Sequence, residues 1–279
     1  MGNLRPAGAV DRQGETMQSQ EPIITNPAKE KLKAGRSVTG MNVFESLRPS
    51  VVKVAAMVGF DLILVDTEHV IHNDETLTNF LVLARDNGLA PVVTVVAPDR
   101  ALVSRMLDAG ALGIILSHAE TAEQVEDLVR WTKYAPEGER GLAMGANAGY
   151  ANIEVARYCR EANEATLVLP KIESAVGVRN AEAIMDVEGV DGIVFGPGDL
   201  SVKMGLHGQW EHPEVLAAME SVVQGALARG LAVEPPIMPT DRDAYERELE
   251  RGVRIFGAMR RSEYDLLKEA ATNVMAVYL

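Results

Sequence analysis

Between residues 166 and 201 the sequence reads T-L-V-L-P-K-I-E-S, then a helical stretch over 174–186, then V-D-G-I-V-F-G-P-G-D-L-S. Two apolar strands joined through a helix form a β-α-β unit, whose parallel strands end on the same edge of a sheet. The first strand ends at Glu173, and the second empties through a Gly-Pro-Gly turn at Asp199. The two carboxylates are therefore expected to meet. Adjacent carboxylates repel unless a cation lies between them, and a pair of hard oxygen ligands suits Mg²⁺, Mn²⁺ or a similar ion. The alternative is plainer: an acidic residue just past a strand often caps the next helix, and Asp199 before Leu-Ser-Val fits that too.

The same alternation runs along most of the chain. Residues 60–66, F-D-L-I-L-V-D, are almost continuously apolar, which implies burial on both faces as in a parallel sheet. Strands are expected to begin near 38, 61, 91, 113, 166, 192, 231 and 253, with helices between them. Eight strand–helix units in 279 residues make a closed (β/α)₈ TIM barrel the natural architecture. An open doubly wound sheet is the runner-up, but no G-x-G-x-x-G follows any strand. Residues 1–27 are polar and without period, so they read as a flexible leader before a single barrel domain over 28–279. Thr121 and Gln124 form a capping box for the helix over 121–134. A long connection over 135–149, with four glycines, breaks the rhythm.

A formal net charge of −13 argues against nucleic acid and anionic membranes as partners. No apolar run is long enough to span a bilayer, and the N-terminus lacks the apolar core of a secretory signal, so a cytoplasmic protein is expected. The lone cysteine, Cys159, sits in a helical pattern and reads as a packing residue.

In a barrel, chemistry lies at the C-terminal strand ends. The second strand delivers Asp66-Thr67-Glu68-His69 in a chain with five histidines. His69 beside Asp66 and Glu68 can serve as a general base oriented by a neighbouring carboxylate, or can merely cap the next helix. Lys171, two residues before Glu173, shares its face of the strand and projects into the barrel mouth. It can be a structural counter-charge, a donor to a substrate oxygen, or a Schiff-base amine. The N–H groups of Gly198 and Asp199 offer a cradle for a small carboxylate.

Taken in order, F-D-L-I-L-V-D-T-E-H (60–69), A-P-V-V (90–93), M-L-D-A-G-A (106–111), P-E-G-E-R-G (136–141), K-I-E-S (171–174), the run 186–201 and H-P-E-V (212–215) resemble the HpcH/HpaI family of metal-dependent pyruvate-type aldolases, from about Ala28 onward. The resemblance implies a TIM barrel and a divalent ion (Mg²⁺, Mn²⁺ or Co²⁺) held by Glu173 and Asp199. It implies His69 as acid/base beside Asp66, and cleavage or formation of 4-hydroxy-2-oxo acids through a pyruvate enolate. Glu68, Thr94, Gly198 and Asp199 would line the 2-oxo acid, pyruvate or oxaloacetate, with an aldehyde as its partner. Family members commonly assemble as hexamers of dimers that exchange their last helix, and this chain's last helix is apolar to its tip.

Four places depart from the family pattern, among them the turn Glu234-Pro235-Pro236 where a glycine-bearing one is usual. Thr94 stands where an arginine usually follows P-V-V, and Lys171 stands where a neutral residue is common. Lys171 is expected to restore the charge that Thr94 lacks. The first strand also lacks a tryptophan that some members carry there. These departures keep open a decarboxylase of oxaloacetate, an acyl-condensing synthase, or a silent 2-oxo-acid-binding paralogue.

Overall fold

The computed structural model describes residues 22–258 and 260–278. Its strands are β1 (Val38–Val43), β2 (Leu62–Val65), β3 (Ala90–Val95), β4 (Gly113–Leu116), β5 (Leu167–Ile172), β6 (Gly192–Phe195), β7 (Ala232–Val233) and β8 (Ile255–Ala258). All pair in parallel, in the order β7-β6-β5-β4-β3-β2-β1-β8. The remaining seam, between β7 and β8, is joined by the Arg254 N–H donating to Val233 O at 3.3 Å. The architecture is the expected (β/α)₈ barrel.

Alternation along the strands sorts side chains into two cores. Leu62, Leu64, Val92, Ile115, Leu167, Leu169 and Val194 pack together inside the barrel. Their neighbours Ile63, Val65, Val93, Ile114, Leu116, Val168 and Ile193 face the ring of helices, where they meet Leu81, Leu107, Leu128 and Val222. Each fully buried aliphatic side chain of this kind contributes roughly 1.5–3 kcal/mol. Helices α2 (Pro49–Val58), α3 (Asp74–Asp86), α4 (Arg100–Asp108), α5 (Ala122–Thr132), α6 (Val155–Ala165) and α10 (Pro213–Ala228) supply much of that outer ring. The capping box at Thr121 and Gln124 is present.

Helix α1 (Pro27–Lys33) closes the barrel floor. Its cap, Asn26, donates from Nδ2 to Leu112 O at 2.9 Å and Ala165 O at 2.8 Å. Residues 1–21 of the expected leader lie outside the described residues, whereas the Ile23 N–H donates to the Glu161 carboxylate at 2.5 Å and Ile24 is buried. Packing therefore begins before residue 28.

Two local expectations differ from what is found. The helix over 174–186 is split into α7 (Ala175–Arg179) and α8 (Ala181–Met185), because Asn180 leaves helical geometry while its side chain donates to Glu120 O at 2.7 Å. The Gly-Pro-Gly-Asp segment is no loop: Gly196 is the cap and Pro197 the first residue of α9 (Pro197–Lys203), so Asp199 lies inside the first helical turn. Proline suits that position, since its missing N–H would be unpaired there anyway. Finally, α11 (Arg242–Arg251) is followed by α12 (Glu263–Met275), which is pinned through Glu263, whose carboxylate accepts the N–H groups of Phe44, Glu45 and Ser46. Its apolar Leu267, Val274 and Tyr278 are exposed rather than packed on the barrel. No helix among the described residues is long and apolar enough to cross a membrane.

At the floor, two ammonium groups share one carbonyl. Lys29 donates to Thr166 O at 2.7 Å and pairs with Asp191 at 2.7 Å, while Lys133 donates to Thr166 O at 3.1 Å and to Asn163 O. Burial first, and the neighbouring Lys29 second, push the Lys133 ammonium down from 10.5 to about 8. The native state thus releases this proton near pH 8, while the unfolded chain holds it to about 10.4. Between those values the unfolded state binds more protons, so this group makes stability rise with pH, by at most about 1.4 kcal/mol per pH unit. Thermal melts at pH 7.5, 8.5 and 9.5 check this: the stability of the wild type relative to Lys133→Met should climb across the series, and a constant difference would refute the buried-amine account.

Candidate active site

The inward rows of the strands continue past the apolar core into polar side chains at the C-terminal rim. Leu62 and Leu64 lead to Asp66, Val92 to Thr94, Ile115 to Ser117, Leu167 and Leu169 to Lys171 and Glu173, and Val194 to Gly196. Register fixes the closest approach. Lys171 pairs with Val194 and Ile172 with Phe195, so Glu173 arrives beside Gly196, whose N–H donates to Ile172 O at 3.2 Å. A Cβ on Gly196 would lie 2.1 Å from Glu173 Oε2 and 3.0 Å from Lys171 Cε, so only glycine admits the Glu173 carboxylate here.

Glu173 is fully buried. Its Oε1 accepts the His118 N–H at 2.6 Å, and its Oε2 lies 2.9 Å from Lys171 Nζ, close enough for charge pairing but without a well-directed hydrogen bond. Lys171 also stands 3.4 Å from Glu68 Oε2. His118 lies between the two acids, with Nε2 at 3.0 Å from Glu68 Oε1 and Nδ1 at 3.1 Å from Glu173 Oε1. The Ser117 hydroxyl donates to Glu68 at 2.5 Å. Burial alone would depress the Lys171 ammonium, but Glu173 and then Glu68 hold it above its usual value. Burial likewise opposes ionised Glu68, and it is outweighed by the Ser117 hydroxyl, Lys171 and the two histidines, which keep the carboxyl below its usual range. An ammonium paired with two carboxylates suits the role of counter-charge and hydrogen donor better than that of a Schiff-base amine.

The expected residues are distributed unevenly around this cluster. Asp66 does not face the His69 ring: its Oδ1 accepts the N–H groups of Glu68 at 2.9 Å and His69 at 2.7 Å, so it shapes the loop that presents them. The carboxylate facing the His69 imidazole is Glu68, at 3.7 Å, and the ring is about half exposed. Thr94 accepts the Thr67 N–H at 2.9 Å and receives the Thr67 hydroxyl on its carbonyl at 2.5 Å, which makes it a brace for the same loop. Gly198 and Asp199 lie in the first turn of α9, where backbone N–H groups have no acceptor within the helix.

Three side chains come within ligand distance of one another: Glu68, His118 and Glu173 bring one ligand atom each within 4.8 Å. Asp199 is not in that group, and among the described residues its carboxylate has no hydrogen-bond or ion-pair partner. The donor chemistry fits a divalent ion: a buried carboxylate oxygen with no hydrogen bond, a second acid, and an imidazole suited to Mn²⁺ or Co²⁺. His118 was not anticipated from sequence. Its signal is its place: it lies two residues past the end of β4, on the same rim as Glu68 and Glu173.

Residues 41–256 match the HpcH/HpaI aldolase/citrate lyase family. The chain belongs to that family. It is 32% identical over 237 residues to the hydroxypyruvate/pyruvate aldolase of Roseobacter denitrificans, covering 84% of this chain and 90% of that one. It is 33% identical over 218 residues to the 2-keto-3-deoxy-L-rhamnonate aldolase of Salmonella gallinarum, covering 76% and 81%. Among solved structures, an HpcH/HpaI aldolase from Desulfitobacterium hafniense superposes with a TM-score of 0.81 at 30% identity, over 89% of this chain and 95% of that one. This HpcH/HpaI family member is accordingly a carbon–carbon lyase on the family barrel.

The ammonium of Lys171 compensates two carboxylates with little access to water. Lys171→Gln leaves them facing each other, so the metal-free protein should lose on the order of 3 kcal/mol in denaturant unfolding. Turnover at saturating metal separates the roles: a fall means that Lys171 also serves the substrate, and unchanged turnover reduces it to a counter-charge.

Proposed function

We propose that this family member is a divalent-metal-dependent aldolase that cleaves or forms 4-hydroxy-2-oxo acids. The observation that carries the reading is Glu173, a fully buried carboxylate whose Oε2 has no hydrogen bond, set among Glu68, His118 and Lys171 at the barrel rim. Relatives named as aldolases of hydroxypyruvate, pyruvate and a 2-keto-3-deoxy acid support the same substrate class. Glu173 and Asp199 would hold the ion, Mg²⁺, Mn²⁺ or Co²⁺, with Glu68 and His118 beside them. When bound, the ion supplies Lewis acidity that draws electron density from the keto group of the 2-oxo acid.

The protein groups then divide the work. In cleavage His69 takes the proton of the 4-hydroxyl, the C3–C4 bond breaks, and its electron pair passes to the enolate of pyruvate while the aldehyde departs. Glu68, facing both imidazoles, orients His69 and stabilises its charged form. Lys171 and the first-turn N–H groups of Gly198 and Asp199 hold negative charge on the 2-oxo acid. Asp66 and Thr94 keep the loop that carries Glu68 and His69 in place. The enolate finally takes a proton at C3. A second reading, decarboxylation of oxaloacetate, uses the same enolate, and Thr94 at the β3 rim, which carries no charge, is the feature that favours testing it.

The assembly is part of the proposal. Leu267, Val274, Val277 and Tyr278 leave an apolar face on α12 and its tail, with exposures of 69%, 60%, 78% and 76%. Exposed apolar surface of this kind marks an interface, and its occupant here would be a second copy of the chain. Replacing Leu267 and Val274 by aspartate should lower the mass measured by light scattering; an unchanged mass removes α12 from the interface.

Complete chelation by EDTA should abolish cleavage, with Mg²⁺, Mn²⁺ or Co²⁺ restoring it, and activity that survives chelation refutes the metal assignment. Pyruvate with a panel of aldehydes, run beside oxaloacetate alone, decides between aldolase and decarboxylase.

A further inference from the structure

Strand β7 is two residues long, and it stops because Glu234 is followed by Pro235 and Pro236, neither of which has an N–H to continue a ladder. The Glu234 N–H still reaches Ile193 O of β6, at 3.4 Å. The next donor along β6 is the Phe195 N–H, which a main-chain carbonyl would accept in a continued parallel ladder. Here the Glu234 side chain accepts it instead, through Oε2 at 3.0 Å. A carboxylate thus takes over where the backbone of β7 turns away.

A side chain can hold a strand end only if it is itself held. Arg260, two residues past β8, does this. Its Nη2 donates to Glu234 Oε2 at 3.2 Å and to Pro235 O at 2.6 Å, its Nη1 donates to Pro236 O at 2.8 Å, and the guanidinium stands 5.8 Å from the centre of the Phe195 ring. One guanidinium therefore joins the ends of β6, β7 and β8. The pair is also kept from its own best geometry. A guanidinium and a carboxylate ordinarily meet through two parallel bonds, yet the buried Glu234 Oε1 and Arg260 Nε have no hydrogen-bond partner among the described residues. Buried polar atoms left so call for a cause, and the cause here is that Glu234 is turned to the Phe195 N–H and Arg260 to two proline carbonyls.

Directly after Phe195 comes Gly196, which abuts the Glu173 carboxylate and caps α9, its carbonyl accepting the Leu200 N–H at 2.9 Å. The first turn of α9, with Gly198 and Asp199, is therefore set by where β6 ends. We propose that Arg260 is a positioning residue for the site: acting through Glu234 and the Phe195 N–H, it fixes the end of β6 and with it the placement of Asp199 and the first-turn N–H groups. The proposal rests on the reading in which Asp199 helps to hold the ion. It also gives the Glu234-Pro235-Pro236 turn a purpose, since the two prolines end β7 and offer Arg260 the carbonyls that hold it over Glu234.

The test titrates Mn²⁺ alone into the full chain by calorimetry and follows deuterium uptake of the backbone over residues 192–204 by mass spectrometry. Arg260→Lys keeps the charge without the fork. It should weaken Mn²⁺ binding by about tenfold or more, as the loss of an outer partner of a metal site does, and should speed exchange over 196–199. Glu234→Gln keeps an oxygen for the Phe195 N–H and should retain most of the affinity, whereas Glu234→Leu should lose it as Arg260→Lys does. Variants that melt earlier but bind Mn²⁺ as the wild type does would make the pair a support for the fold alone, and a loss as deep in Glu234→Gln as in Glu234→Leu would remove the route through Phe195; either result overturns the proposal. A wild type that takes up no Mn²⁺ refutes the metal reading and the proposal with it, whereas one that binds the ion beside unaffected variants refutes the role of Arg260 alone.

Discussion

Two carboxylates on different strand ends, Glu68 and Glu173, face each other at the rim of the barrel, and the arrangement holds because Lys171 lies between them. Like charges at this separation with little water are tolerated only with a cation at hand. The surrounding geometry serves that condition. Gly196 leaves room for the Glu173 carboxylate, Ser117 and His118 supply hydrogens, and Asp66 and Thr94 fix the loop that brings Glu68 in. A divalent ion offers the same electrostatic relief as an ammonium, with the addition of Lewis acidity. A site that already stabilises concentrated negative charge around a lysine is therefore chemically prepared for a metal.

The fold was legible because its signal is periodic and repeated. The apolar run over 60–66 and its counterparts could hardly lie anywhere except between two packed layers, and each became a strand in the expected place. Boundaries were less legible where a single side chain overrides the pattern. Asn180 reaches out to Glu120 and splits a helix, and Pro197 starts one where its neighbouring glycines read as a loop. Neither effect has a period, so neither is visible without the neighbour that causes it.

The site was legible at strand ends whose motifs cluster acids and a histidine. Glu68, Lys171 and Glu173, two or three residues from their partners in sequence, were found for that reason, and they do converge. His118 carries no such local mark. It matters because the barrel closes, bringing the end of β4 between the ends of β2 and β5, and because its backbone accepts an unusual φ. Of the two acids beside His69 in sequence, Glu68 is the one that faces the ring, because the short Asp66 side chain bonds the backbone N–H groups two and three residues on.

Floor and rim are built to different ends. At the floor, Asn26 and Lys29 tie α1 to backbone carbonyls, and Lys133 at the end of α5 bonds the same Thr166 carbonyl. At the rim, polar groups are left with capacity to spare. The joint between β7 and β8, stitched by the Arg254 N–H to Val233 O bond in place of a continuous ladder, lies on the far side of the ring from β4. Thermal breathing of the barrel would concentrate there. The wall bearing Glu68, His118 and Glu173 sits opposite, within the continuous ladder, so its alignment does not hang on that single bond.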